Sequence, residues 1–222
     1  MAGVGEIALE FCGRGGKRLR PRLCRAAYAA AVAGRPPCQC GRIEDVCEAV
    51  ECFHKASLIH DDIQDCDEER YGRPTVWKEH GVALAIAAGD WLVAHGYELI
   101  VNSGFPNVQA MMAVTVRSHI ALCEGQGDDL LLGRAEYLSV CERKTGEAFA
   151  LAAELGALAA GADGAPYRKY GLDFGVLFQV RDDIADGDAP ESADALAERL
   201  ARELEDTAVA RSLGAWHERG IR

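Results

Sequence analysis

The chain has 222 residues, 35 acidic and 24 basic, for a formal charge of −11 at pH 7. No Lys/Arg stripe interleaved with aromatics is present, which excludes nucleic acid as a partner. A composition of 49% hydrophobic and 27% charged residues excludes disorder and fibres, and predicts a soluble globule of one domain or at most two.

Thirty-seven alanines, with abundant Leu, Glu and Arg and few β-branched runs, predict an all-α fold. A Gly/Arg segment, 13–21, leads into a helix at about 22–33, which the loop 34–41 with Pro36 and Pro37 ends. The next helix is expected at 43–65, where Val46, Val50, Phe53, Leu58 and Ile59 approximate a 3.6-residue stripe. Residues 66–75 are a loop closed by Gly72 and Pro74, and helices follow at about 76–103, 107–124, 134–161, 166–186 and 192–213. No repeat or linker interrupts residues 1–222, so one domain is expected.

Nine cysteines, an odd number, lie mostly inside helical patterns, and residues 14–25 are basic where a signal peptide would be apolar. Both features predict reduced thiols and a cytoplasmic protein. Cys38 and Cys40, with Cys47 further on, resemble half a zinc site, but no second Cys/His pair follows at ligand spacing and no structural zinc is expected. The most apolar run, 81–96, is interrupted by Asp90, so no transmembrane segment is expected.

The most informative feature is Asp61-Asp62-Ile63-Gln64-Asp65 and its echo Asp182-Asp183-Ile184-Ala185-Asp186. Positions i and i+4 share a helix face, so each pentad can present two carboxylates side by side. Such charges repel unless a cation sits between them, and oxygen-only ligands suit Mg²⁺ bridged to a diphosphate. Either pentad alone could be a solvated acidic helix end; two copies facing each other would form a metal-diphosphate clamp. Gly15-Gly16-Lys17-Arg18-Leu19-Arg20-Pro21 is a flexible turn with three cations. It is not a P-loop, since no Ser/Thr follows Lys17. Alone it reads as a basic surface turn, whereas beside two metal clamps it would take a second diphosphate.

These residues resemble the trans-isoprenyl diphosphate synthases, the polyprenyl synthetase family. The resemblance rests on the 15–21 motif, His54 seven residues before the first pentad, Arg70, Gly72, Pro74 and Thr75 after it, Gly125-Gln126 with Asp129, Lys144-Thr145, and Phe178-Gln179 before the second pentad. It implies an antiparallel helix bundle around a deep cavity, a homodimer, and Mg²⁺-dependent head-to-tail condensation of isopentenyl diphosphate with an allylic diphosphate. It further implies that Asp61, Asp65 and Asp182 bind Mg²⁺, with Asp62, Asp183 and Asp186 completing the motifs. Arg70 and Lys144 would hold the allylic diphosphate, and Lys17, Arg20 and His54 the isopentenyl diphosphate. Thr145 and Gln179 would line the path of the allylic cation, and Gln126, Asp129 and Phe178 would contact substrate. Ala56 and Ser57, one turn before the first pentad, would leave the tunnel open for products of C20 or longer.

Two departures from the family pattern stand out. Tyr71 replaces the second arginine that usually follows the first pentad, leaving isopentenyl diphosphate more weakly held or supported by another cation such as Arg73. The chain also has no lysine after Lys169, where the family closes a lysine-bearing segment over its substrates. It starts near the Gly-Gly-Lys motif without the usual preceding helix, so the domain is expected to be shortened at both ends. A class I terpene cyclase-like lyase and a non-catalytic partner subunit are the alternative readings, and retention of Lys17, Arg20 and His54 argues against the lyase.

Overall fold

Helix formers bounded by glycine, proline and short polar turns produce a bundle. The computed structural model describes residues 3–33, 41–132 and 137–214. Its helices are α1 (Val4–Cys12), α2 (Leu19–Val32), α3 (Ile43–Gln64), α4 (Val76–His80), α5 (Val82–Val101), α6 (Val108–Leu132), α7 (Tyr137–Val140), α8 (Glu147–Ala159), α9 (Ala165–Asp186), α10 (Ala193–Glu205) and α11 (Ala208–Leu213). A π-helical segment, Cys141–Gly146, leads into α8. The all-α expectation holds, with the start of the 134–161 helix and the Cys38/Cys40 pair lying outside the described residues.

Five expectations are corrected. A nine-residue helix, α1, does precede the Gly-Gly-Lys motif. The helix expected at 76–103 is split by Gly81, whose φ of +85° is left-handed. The helix expected to stop at Glu124 continues as α6 to Leu132, and the last helix breaks before Thr207, whose hydroxyl accepts from the Ala210 N–H to cap α11. The 66–75 loop contains a small antiparallel hairpin, β1 (Glu69–Arg70) on β2 (Arg73–Pro74). Tyr71 and Gly72, with φ of +56° and +72°, make its two-residue turn.

Apolar faces merge into three connected clusters. Phe149, Phe174 and Leu177 join α8 and α9 to Leu200 and Leu204 of α10. Val50 and Phe53 of α3 pack with Ile100, Met111 and Leu155 from α5, α6 and α8. Phe11 of α1 covers Ile59 of α3 and Ala88 and Leu92 of α5. Thus α8 packs against α2, α3 and α9, while α5 lies along α3. A Cβ on Gly156 would meet the Cys24 carbonyl at 2.1 Å, so only glycine lets α8 approach α2 so closely. Helix α5, by length and composition alone, is apolar enough to cross a membrane, a longer run than 81–96. Its Ala85, Ala88, Leu92 and Ile100 are nevertheless buried against neighbouring helices.

Candidate active site

Both acidic pentads end their helices: α3 stops at Gln64 and α9 at Asp186, where Gly187 turns left-handed. A helix C-terminus carries the negative end of the backbone dipole, so clustered carboxylates there are opposed by the helix itself. Burial and neighbouring charges add to that cost. Burial pushes the Asp61 carboxyl above its ordinary range and Asp65 adds to this, while Lys144 opposes it. Asp182 is raised by burial, then by Asp186 and Asp183, with Lys17 opposing. Oxygen donors whose charge is costly without a counter-ion suit a hard divalent cation such as Mg²⁺.

The π-helical segment links the two pentads. Lys144 Nζ donates to Asp129 Oδ2 of α6 at 2.9 Å. Burial opposes its charge, yet that bond and the charges of Asp61, Asp129 and Asp65 hold its pKa above the ordinary lysine value. The next residue, Thr145, donates to Gln179 Oε1 at 2.7 Å; Gln179 Nε2 donates to Asp183 Oδ1 at 2.7 Å. Tyr137 donates to the other oxygen of Asp183 at 2.6 Å. Adjacent residues of one segment therefore serve opposite pentads, around a cavity of about 210 Å³ lined by Asp129, Tyr137, Lys144, Thr145, Gln179 and Asp183. A Cβ on Gly125 would stand 2.5 Å from Arg143 Cβ, so this glycine lets α6 approach the segment.

The Gly-Gly-Lys turn is anchored from below. Lys55 of α3, wholly buried, donates to the carbonyls of Arg14 and Gly15 at 2.6 and 3.1 Å. The Tyr71 ring lies 4.5 Å from the Lys55 ammonium and against Gly15 and Gly16, both at positive φ. Arg20 Nη1 is 3.1 Å from His54 Nε2, and its guanidinium stacks 4.5 Å over Phe149. Burial drops the Arg20 pKa to about 10. Burial, then the charges of Arg20, Lys55 and Arg70, pushes His54 well below the ordinary histidine value. His54 is therefore neutral and accepts from Arg20.

The structure thus gathers Asp61, Asp65, Asp129 and Lys144 on one side, and Thr145, Gln179, Asp182 and Asp183 on the other. Asp186 completes the end of α9, Phe178 packs on Phe149 with ring centroids 5.6 Å apart, and Gln126 donates to Gln64 at 2.7 Å. Three residues are placed otherwise than expected. Asp62 is 1% exposed and accepts from Arg70 through Oδ1, whereas Asp61 and Asp65 are more exposed. Ala56 is packed in the core beside α1 and α5, whereas Ser57, on the Asp61 face, is exposed. Arg73 pairs with Glu10 at 2.6 Å, which engages it away from the role expected of a substitute cation. Lys55 and Tyr137 went unread because no local pattern marks them; Lys55 looks like an ordinary helix lysine until α3 is seen to pass beneath residues 14–16.

Residues 3–195 match the polyprenyl synthetase family. The chain belongs to this family. It is 37% identical over 182 residues to the short chain isoprenyl diphosphate synthase of Methanothermobacter thermautotrophicus, covering 78% of this chain and 54% of that one. It is 38% identical over 196 residues to the geranylfarnesyl diphosphate synthase of Aeropyrum pernix, covering 82% and 60%. A polyprenyl synthase from Caulobacter crescentus, solved with calcium and isoprenyl diphosphate, superposes with a TM-score of 0.72 at 28% identity, over 97% of this chain and 74% of that one. The chain therefore spans a little over half the length of these two curated relatives of the family.

Proposed function

We propose that this protein is a Mg²⁺-dependent prenyltransferase that joins isopentenyl diphosphate head-to-tail to an allylic diphosphate, giving products of C20 or longer. The observation that carries this reading is the placement of Lys144 toward one carboxylate pentad and Thr145 toward the other, with both pentads at helix ends that favour a cation. Asp61, Asp65, Asp182 and Asp186 would hold Mg²⁺, which supplies positive charge to the departing diphosphate. Lys144, poised by Asp129, adds a fixed cation where negative charge develops as the allylic C–O bond breaks. Lys17, Arg20 and neutral His54 hold the second diphosphate beside Asp182, and Gln179 and Thr145 present their oxygens to the allylic cation. The isopentenyl double bond attacks that cation, and a proton then leaves to the released diphosphate, since no side chain stands as an evident base.

The protein would act as a homodimer in the cytoplasm. Val82, Ile86 and Val101 of α5 and Val116 and Ile120 of α6 are each 45–57% exposed, and a second copy would cover these apolar faces. Val116→Asp with Ile120→Asp should then halve the mass seen by sedimentation; an unchanged mass places the interface elsewhere. Activity is tested by incubation with Mg²⁺ and farnesyl diphosphate, with and without isopentenyl diphosphate. Longer diphosphates only when both substrates are present are expected, whereas a hydrocarbon or alcohol from farnesyl diphosphate alone would establish a lyase instead.

A further inference from the structure

Away from the carboxylate pentads, ligand atoms from two helices converge at a second place. Cys12 ends α1, and Glu48 and Cys52 are one turn apart on α3. The two sulfurs and a Glu48 carboxylate oxygen all lie within 4.8 Å of one another. Cys12 and Cys52 are free thiols, 7% and 1% exposed. The Glu48 side chain is 44% exposed and its Oε2 accepts from Arg18 Nη2 at 2.6 Å.

We propose that Cys12, Cys52 and Glu48 form a binding site for a thiophilic divalent cation of the zinc class, with water as the fourth ligand. Two sulfurs on a tetrahedral zinc, each about 2.3 Å from the metal, stand about 3.8 Å apart. The observed spread thus needs a contraction of no more than about 1 Å, within the reach of side-chain torsions. On binding, the two S–H protons pass to solvent, two metal–sulfur bonds and one metal–oxygen bond form, and water leaves the ion; no electron is transferred. The charges close: two thiolates and Glu48 give −3, the cation +2 and Arg18 +1, so the assembled site is neutral. Arg18 then serves as the outer partner that orients the ligating carboxylate. Access runs from Glu48, which lines a cavity of about 320 Å³ together with Lys17 and Arg18. Magnesium would be a poor occupant, because thiolates select softer ions.

The consequence is a clip. A cation here fastens α1 to α3 directly beneath the Gly-Gly-Lys turn, and through Glu48 it fixes Arg18, whose backbone is left-handed at φ +49°. The site is hidden in the sequence because Cys12 precedes its partners by about ten helical turns' worth of chain. The test uses the full chain, reduced and freed of metal, in excess Mg²⁺ to occupy the carboxylate pentads. Titration with Co²⁺ should give a sulfur-to-cobalt charge-transfer band saturating at one equivalent and bleached by Zn²⁺. Cys12→Ser and Cys52→Ser should each abolish it, Glu48→Gln should weaken Co²⁺ binding about tenfold or more, and Cys24→Ser should leave it intact. Circular dichroism checks that each variant is folded; where a serine variant is not, Glu48→Gln decides, since its side chain is largely solvent-facing. Absence of the band in the wild-type chain, its survival without Cys12 and Cys52, or an unchanged affinity in Glu48→Gln would overturn the proposal.

Discussion

Asp62 shows how one residue of a motif can differ from its neighbours. Asp61 and Asp65 share a helix face, but Asp62 is turned about 100° away and meets Arg70 in the protein interior. Removing Asp62 would leave Arg70, 25% exposed, with only its longer 3.4 Å contact to Asp67. Asp62→Ala should therefore cost about 2 kcal/mol in urea unfolding, below the 3–5 typical of fully buried pairs because water can partly resolvate Arg70. Affinity for Mg²⁺ should fall much less than in Asp61→Asn. Equal losses of metal affinity in the two variants would place Asp62 among the ligands.

At the scale of elements, α3 is the organising helix. One face carries Ser57 and Asp61 with Asp65 following at its end, while another buries Ala56 and Ile59 under α1 and α5. Ser57→Phe should shorten the product, as read by chromatography of the hydrolysed diphosphates, because the ring would stand in the open space one turn below Asp61. Ala56→Phe should instead destabilise by about 1–3 kcal/mol through overpacking; shortening by Ala56→Phe in a fully stable protein would contradict this assignment. The sequence made the two carboxylate pairs and the Gly-Gly-Lys turn legible because each is local, with its chemistry written into spacings of one to four residues. It left Tyr137, Lys55 and Glu48 silent, since their partners lie far along the chain and only packing brings them together. Tyr71 was legible as a departure but not as a solution: its left-handed backbone lays the ring on Lys55 and the two glycines, replacing charge by support of the turn.

Across the whole molecule, burial of histidine sets a pH response. His119 of α6 packs edge-on against Phe53 with ring centroids 4.4 Å apart and is hydrogen-bonded to Tyr97. Burial pushes its pKa from 6.5 down to about 4. Between those values the unfolded chain binds more protons than the folded one, so stability rises with pH across the window and is lost on acidification from about 6.5 to 4. His54, lowered mainly by burial, adds the same sign. The His119 part amounts to about 3 kcal/mol, and urea unfolding of His119→Gln between pH 4.5 and 7 should show a visibly flatter profile than wild type. An identical profile would remove His119 from the account.

The same whole-molecule view holds that two distant pentads act on one diphosphate. This is tested most directly by calorimetric titration of a non-cleavable thio analogue of farnesyl diphosphate, in saturating Mg²⁺, into the wild type, Asp61→Asn, Asp182→Asn and the double variant. Each single exchange should weaken binding about tenfold or more, and the double exchange should lose much less than the product of the two, because both act through the same bound group. Losses that simply multiply, or that persist unchanged when Mg²⁺ is removed, would contradict a single shared clamp.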